Sequence, residues 1–315
     1  MVHKKVLITD YVDPILLTGL KSMDYTLTYA PEMSRSEMET FLPGYMGVVI
    51  NTRCAINKET MANAGGLQWI ARLGSGLDII DLPAAKELKI KVISAPEGNA
   101  QAVAEFAMGM LLSLSRKINS ADRTVRAGDW LREQHRGWEV AGKTIGIIGY
   151  GNNGSAFGRL WKGFEVTVMA YDKYVSGFGN EFVQETDLTT LLKSCDIISL
   201  HIPLTLETKE MVNDAFIAAC KTGCILINTS RGKVIDMKSL LRALKSGQVK
   251  GACLDVLPYE PPAKAPEEDQ RLFLELSNYE NVVLSPHIAG WTVESKRKIA
   301  TVLLDKIQSF VNLPQ

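Results

Sequence analysis

The run Lys143-Thr-Ile-Gly-Ile-Ile-Gly149-Tyr-Gly151-Asn-Asn153-Gly154 constrains the fold more tightly than any other stretch of this chain. A short β-branched segment enters a glycine turn, and Ser155 to Trp161 leaves it with a helical pattern. Three glycines spaced G-x-G-x-x-G occur in many turns, so the strand before and the helix behind carry the signal. Together they allow a tight turn, close approach of backbone to a pyrophosphate, and close contact of helix and strand. The helix N-terminus then presents free N–H groups and a positive dipole end to the phosphates. Asp172 follows the next strand-like run, Val166 to Tyr171, where a carboxylate accepts hydrogen bonds from both ribose hydroxyls. The same charge repels a 2′-phosphate and favours NAD over NADP. Lys173 comes directly after it and leaves the strictness of that choice open.

Around this turn, short apolar runs alternate with helical patterns. Val6–Thr9, Gly47–Asn51, Trp69–Leu73 and Lys91–Ser94 read as strands, with helices such as Asp13–Ser22 and Ser34–Leu42 between them. Later strands are expected at Thr144–Ile148, Val166–Tyr171, Ile197–Leu200, Ile225–Asn228, Gly251–Val256 and Val282–Leu284. Continuous apolar strands separated by helices point to parallel sheets covered on both faces. The fold class is therefore α/β with two doubly wound parallel-sheet domains, in keeping with the length of 315 residues. From Asn99 to Ile118 the apolar residues nearly encircle one helix, which must run through the interior or meet another subunit. Ser120–Val140, with Trp130 and Trp138, reads as an arm lying across a surface, and a last helix spans about Val293–Phe310.

Lys plus Arg and Asp plus Glu number 35 each, so the formal charge is zero and the basic excess of a nucleic-acid binder is absent. The five cysteines read as buried free thiols, and Cys220-Lys-Thr-Gly-Cys224 lacks the second ligand pair of a zinc site, so no metal is expected. The first residues have no signal-peptide pattern and no apolar stretch is long enough to span a membrane, giving a cytoplasmic expectation.

Four histidines are present. His3 lies near the start and His135 in the charged arm. His201 and His287 both follow strands, where ligands bind in open α/β sheets, so both remain candidates for a catalytic base. Asn228-Thr-Ser-Arg231-Gly-Lys-Val-Ile-Asp236, Leu254-Asp255-Val-Leu-Pro-Tyr-Glu260-Pro and Ser285-Pro-His287 follow one another in order. With Arg72-Leu-Gly-Ser75-Gly76-Leu-Asp78 and Asn99-Ala-Gln-Ala-Val-Ala-Glu105, they resemble the D-isomer-specific 2-hydroxyacid dehydrogenases over essentially the whole chain.

That resemblance implies a Rossmann NAD domain, residues 100–286, inserted in a flavodoxin-like substrate domain made of residues 1–99 and 287–315, with a cleft between them. Arg231 would pair with a substrate carboxylate, assisted by backbone N–H groups around Ser75 and Gly76. His287 would exchange the hydroxyl proton, and Glu260 would hydrogen-bond it and suit it to donate to a carbonyl. Gly149, Gly151, Asn153, Gly154, Asp172, His201, Pro203, Thr208, Thr229, Arg231, Asp255 and His287 would line the dinucleotide, with Asp255 and the backbone near Thr229 orienting its carboxamide.

Among family members, the chain most resembles those that oxidise 3-phosphoglycerate to phosphohydroxypyruvate in serine biosynthesis. Arg53 and Arg132 are the candidate phosphate cations, although Arg53 reads equally well as a surface residue. The Asn51-Thr-Arg53-Cys54 stretch departs from the Arg-Ser pair of those enzymes, so reduction of glyoxylate or hydroxypyruvate is the alternative. An NAD-sensing corepressor-like binding protein is a further one. Ending at Gln315, the chain is expected to lack a C-terminal regulatory domain. A homodimer or dimer of dimers is expected, burying the apolar helix and the Trp130 arm and bringing Arg132 to the partner's site.

Overall fold

The computed structural model describes residues 4–311; His3 lies outside them. The chain forms two compact units, one running to Ala100 and resuming at Trp291, the other Gln101–Gly290. The expected divisions at 99/100 and 286/287 fall here at 100/101 and 290/291, and His287 accordingly belongs to the second unit.

The first unit is a five-stranded parallel sheet of β1 (Lys5–Ile8), β2 (Thr26–Tyr29), β3 (Gly47–Ile50), β4 (Trp69–Arg72) and β5 (Lys91–Ser94), in the order β2-β1-β3-β4-β5. Alternate residues serve opposite faces. Val6, Ile8, Val49, Trp69 and Ile93 pack with Leu16 and Leu20 of the helix Pro14–Ser22 and with Ile299, Leu303 and Ile307 of the helix Val293–Val311. Leu7, Val48, Ile50 and Ile70 pack on the other side with Met38, Leu42, Met61 and Ala84. Each helix begins where its sequence says it should. Asp13 caps Ile15 N–H with Pro14 in the first turn, and Ser34 and Glu37 form a reciprocal capping box. A Cβ on Gly19 would stand 2.1 Å from a methyl of Leu304, so the two helices on that face approach as closely as glycine allows.

The second unit is a seven-stranded parallel sheet of β6 (Thr144–Ile148), β7 (Thr167–Tyr171), β8 (Val183–Glu185), β9 (Ile197–Leu200), β10 (Cys224–Asn228), β11 (Val249–Leu254) and β12 (Val282–Leu284). Its order, β12-β11-β10-β9-β6-β7-β8, reverses direction between β6 and β9, as in a Rossmann sheet, and a dinucleotide binds at such a switch point. Its interior is filled from Leu200, Leu226, Leu240 and Leu254 among others.

Three features differ from the sequence reading. Two of the four edge strands, β2 and β8, were not expected, because both mix polar with apolar residues: Thr26 and Tyr29 are exposed, as are Gln184 and Glu185. The long apolar helix is broken at Lys117, whose φ of 54° is left-handed, giving Ala100–Ser115 and Ile118–Arg126. Finally, Ala100–Ser115 is not enclosed on all sides within the chain: Val103, Ala107, Met110, Leu111 and Leu114 are buried while Gln101, Glu105 and Gly109 form an exposed line. Ile118, Val125 and Trp130, which follow it, are 53 %, 50 % and 77 % exposed. Among the described residues no helix is long and apolar enough to cross a membrane, and no cysteine is paired.

Candidate active site

The glycine turn leaves β6 at Gly149, whose φ of +89° is left-handed, and the helix Asn152–Leu160 starts directly behind Gly151, earlier than Ser155. A Cβ on Gly149 would meet His201 O at 2.5 Å, and one on Gly154 would meet Gly149 O at 1.9 Å. Gly151 has nothing within 4 Å of its Cβ position, so the backbone there borders open space at the helix N-terminus. Two buried polar atoms, Asn153 Oδ1 in this turn and Thr229 Oγ1 after β10, have no hydrogen-bond partner among the described residues. Such groups are costly to leave unpaired and fit a polar ligand with donors of its own. A dinucleotide brings such donors on its carboxamide NH₂ and its ribose hydroxyls.

Asp172, at the end of β7, accepts Tyr150 N–H at 2.8 Å through Oδ2, and Tyr174 and Val175 N–H at 2.9 and 3.0 Å through Oδ1. It thereby ties the glycine turn to the loop after β7. His201 hydrogen-bonds Ser199 Oγ through Nε2 at 2.9 Å and packs its ring 5.2 Å from that of Phe157. Burial pushes its imidazole down to about 4, so it is neutral at physiological pH. Pro203 O accepts Thr208 Oγ1 at 2.6 Å, closing the Thr205–Thr208 turn after β9.

The chemistry lies at the ends of β10, β11 and β12. Asn228, fully buried, accepts Ser230 N–H and Oγ–H and donates to Arg231 O at 3.0 Å, which folds the turn that carries Arg231. Gly232 lets this turn touch the next one, since its Cβ would lie 2.0 Å from Leu257 C. Leu257 N–H in turn donates to Glu260 Oε1 at 3.0 Å, and Glu260 Oε2 lies 2.6 Å from His287 Nδ1. A carboxylate accepts, so Nδ1 carries the proton it donates and Nε2 is the atom that exchanges one. Burial works to raise the Glu260 carboxyl, but the hydrogen bond and charge of His287, the Leu257 N–H and the Arg231 charge together hold it below its ordinary value.

His287 itself has a left-handed φ of 58°, uncommon for a residue with a side chain. Asp255 stabilises this conformation. Its backbone oxygen accepts His287 N–H at 2.8 Å. Its carboxylate, on a residue only 1 % exposed, accepts Ser285 Oγ–H at 2.7 Å, Ile288 N–H at 2.9 Å and Ala289 N–H at 2.8 Å. The roles of Asn228 and Ser285 escape sequence reasoning, although both stand inside motifs that it isolates.

Elsewhere in the second unit Arg132 is exposed in the segment after Trp130. The first unit holds the remaining predicted residues. Ser75 Oγ donates to Asn99 Oδ1 at 3.3 Å in the turn after β4, where Gly76 also lies. Arg53, with its side chain 44 % exposed, is tied to its own unit. Its guanidinium donates to Thr9 O at 2.5 Å, to Pro31 O and to Asp10 Oδ1 at 3.3 Å. Burial raises the Asp10 carboxyl despite the Asn51 N–H and Arg53.

Residues 108–289 match the sequence model of the NAD binding domain of D-isomer specific 2-hydroxyacid dehydrogenases. A D-3-phosphoglycerate dehydrogenase of Archaeoglobus fulgidus is 34 % identical over 98 % of the chain, which spans 59 % of that relative's length. A hydroxypyruvate reductase of Thermotoga maritima is 35 % identical over 98 % of both chains. The solved D-lactate dehydrogenase of Aquifex aeolicus, in complex with NAD and lactic acid, superposes with a TM-score of 0.84 at 29 % identity, covering 97 % of this chain and 95 % of that one. This chain belongs to the D-isomer specific 2-hydroxyacid dehydrogenase family.

Proposed function

We propose that the chain is an NAD-dependent oxidoreductase that interconverts a D-2-hydroxy acid and its 2-keto acid. The contact of Glu260 Oε2 with His287 Nδ1 at 2.6 Å, beside the Arg231 turn, carries this reading. Arg231 offers a planar fork to the substrate carboxylate, and Ser75 and Gly76 keep their assignment to the same group from the family resemblance. His287 Nε2 takes the hydroxyl proton in oxidation and returns it in reduction, while Glu260 fixes the ring and its tautomer. The nicotinamide, when bound, accepts or supplies the hydride. Gly149, Gly151, Gly154 and Asn153 would hold its pyrophosphate, Asp172 its ribose, and Thr229 its carboxamide, with His201, Pro203 and Thr208 along the same edge.

The substrate favoured is a small unphosphorylated keto acid such as hydroxypyruvate or glyoxylate. A phosphate needs a cation beyond Arg231, and the Arg53 guanidinium is already engaged by Thr9 O, Pro31 O and the Asp10 carboxyl. Oxidation of 3-phosphoglycerate, in serine biosynthesis, is the second reading. The exposed Arg132 favours it, provided that the partner subunit brings that side chain to the site. Exposed Ile118, Val125 and Trp130 would supply apolar surface to a homodimer contact, and the five unpaired cysteines fit a reducing cytoplasm.

Steady-state reduction by NADH of hydroxypyruvate, glyoxylate and phosphohydroxypyruvate tests the reading. The first two should exceed the third in kcat/KM by roughly tenfold or more, and His287→Ala should lower turnover about 10²- to 10⁴-fold. NADH binding without turnover of any keto acid would instead leave an NAD-sensing binding protein.

A further inference from the structure

The loops at the ends of β7 and β9 meet across β6, the strand between them, through one ion pair. Lys173, next to Asp172, places Nζ 2.5 Å from Glu207 Oε2. Tyr174 Oη donates to the same oxygen at 3.0 Å, and the Lys173 ammonium lies 5.6 Å from the Tyr174 ring centroid. Glu207 stands in a turn that is closed from within: Thr205 N–H donates to Thr208 Oγ1 at 2.8 Å and Thr208 N–H to Thr205 Oγ1 at 3.2 Å. The carboxylate is therefore presented by a pre-shaped loop, and two donors converge on it.

We infer that Glu207 is a cofactor-specificity residue, which holds the Lys173 ammonium and withholds it from a dinucleotide 2′-phosphate. This rests on the reading that a dinucleotide lies on the glycine turn with its ribose at Asp172. At that edge a 2′-phosphate meets the Asp172 carboxylate, and the cation beside it in sequence is the group able to offset the repulsion. With Glu207 in place, Asp172, Lys173 and Glu207 sum to one negative charge. The hydrogen bonds of Lys173 and Tyr174 hold the Glu207 carboxyl below its ordinary value, so it is ionised at neutral pH. The side chains of Lys173 and Glu207 are 54 % and 57 % exposed. The effect is accordingly that of an exposed pair: enough to tilt a preference, too little to reverse it alone.

Equilibrium titrations of NADH and NADPH by fluorescence, at low ionic strength, on wild type, Glu207→Gln, Lys173→Gln and the double variant test this. Wild type should bind NADH more tightly than NADPH. Glu207→Gln should tighten NADPH by about fivefold and change NADH by less than about twofold. In the Lys173→Gln background the same substitution should give no NADPH gain, because the released cation is the source of the effect. An equal gain in both backgrounds would reduce Glu207 to a repelling charge and overturn the inference, as would no gain in either. Failure of wild type to bind either nucleotide would instead overturn the dinucleotide reading, and the inference with it.

Discussion

Replacing Asp255 by Asn changes one buried atom and should stop the enzyme without emptying its cofactor site. The carboxylate receives three donors, two on Oδ1 from Ser285 Oγ and Ile288 N and one on Oδ2 from Ala289 N. An Asn amide has a single oxygen. Whichever way it lies, its NH₂ faces at least one N–H that the carboxylate had satisfied, and Ala289 is only 3 % exposed. One stranded buried donor costs about 1–3 kcal/mol, and losing the charge on the remaining bonds brings the total to roughly 2–4 kcal/mol. The same bonds keep His287 at its left-handed φ, so the loop should relax and carry Nε2 away from its place. A displacement on the order of 1 Å costs about 10²-fold in rate. Asp255→Asn should therefore lower kcat about a hundredfold while the NADH dissociation constant, read by fluorescence, stays within about threefold. Ser285→Ala removes only the hydroxyl donor and should leave kcat within about threefold. If Asp255→Asn weakens NADH binding as much as it lowers kcat, the carboxylate acts on the nicotinamide carboxamide and the positioning argument fails.

Two further outcomes follow from the geometry. His201 is neutral with its imidazole at about 4, against about 6.5 when unfolded, so the unfolded chain binds the extra proton between those values. Stability should be level above about pH 6.5 and fall by up to about 3 kcal/mol as the pH drops towards 4, read from urea midpoints. His201→Gln should flatten that slope, and parallel slopes for the two proteins would remove His201 as its cause. Trp130→Ser, at a 77 % exposed indole, should shift sedimentation from dimer towards monomer at micromolar protein; wild type sedimenting as a monomer would refute the interface.

Buried parallel strands were legible because their sequences are continuous in character. Gly47–Ile50, Trp69–Arg72 and Thr144–Ile148 stand close to where their apolar runs lie. Thr26–Tyr29 and Val183–Glu185 were not, since the polar residues in them make each resemble a loop in composition. Arg231, Glu260 and His287 were recognised from the order of their motifs, which says nothing of what holds them. Asp255 and the N–H groups it accepts lie some thirty residues apart, and Arg53 finds Asp10 across a separation of 43. A side chain's partner is set by which strands become neighbours, and spacing along the chain does not carry that information. The Asp10 carboxyl beside Arg53 is a partner of this kind, brought there by the sheet.

The helix Val293–Val311 closes one face of a sheet whose strands are all made within the first hundred residues. On a ribosome adding about 5–20 residues per second, β1 waits on the order of 15 to 60 s for that cover. Throughout this interval Val6, Ile8, Val49, Trp69 and Ile93 form a sheet face missing one of its two helices, while the second unit is synthesised in full behind it. Chain order thus imposes a maturation order: of the two units, the one whose strands are made first is the last to be completed. A nascent chain halted before Val293 would display that apolar face to chaperones, and the burden of quality control falls on the N-terminal unit.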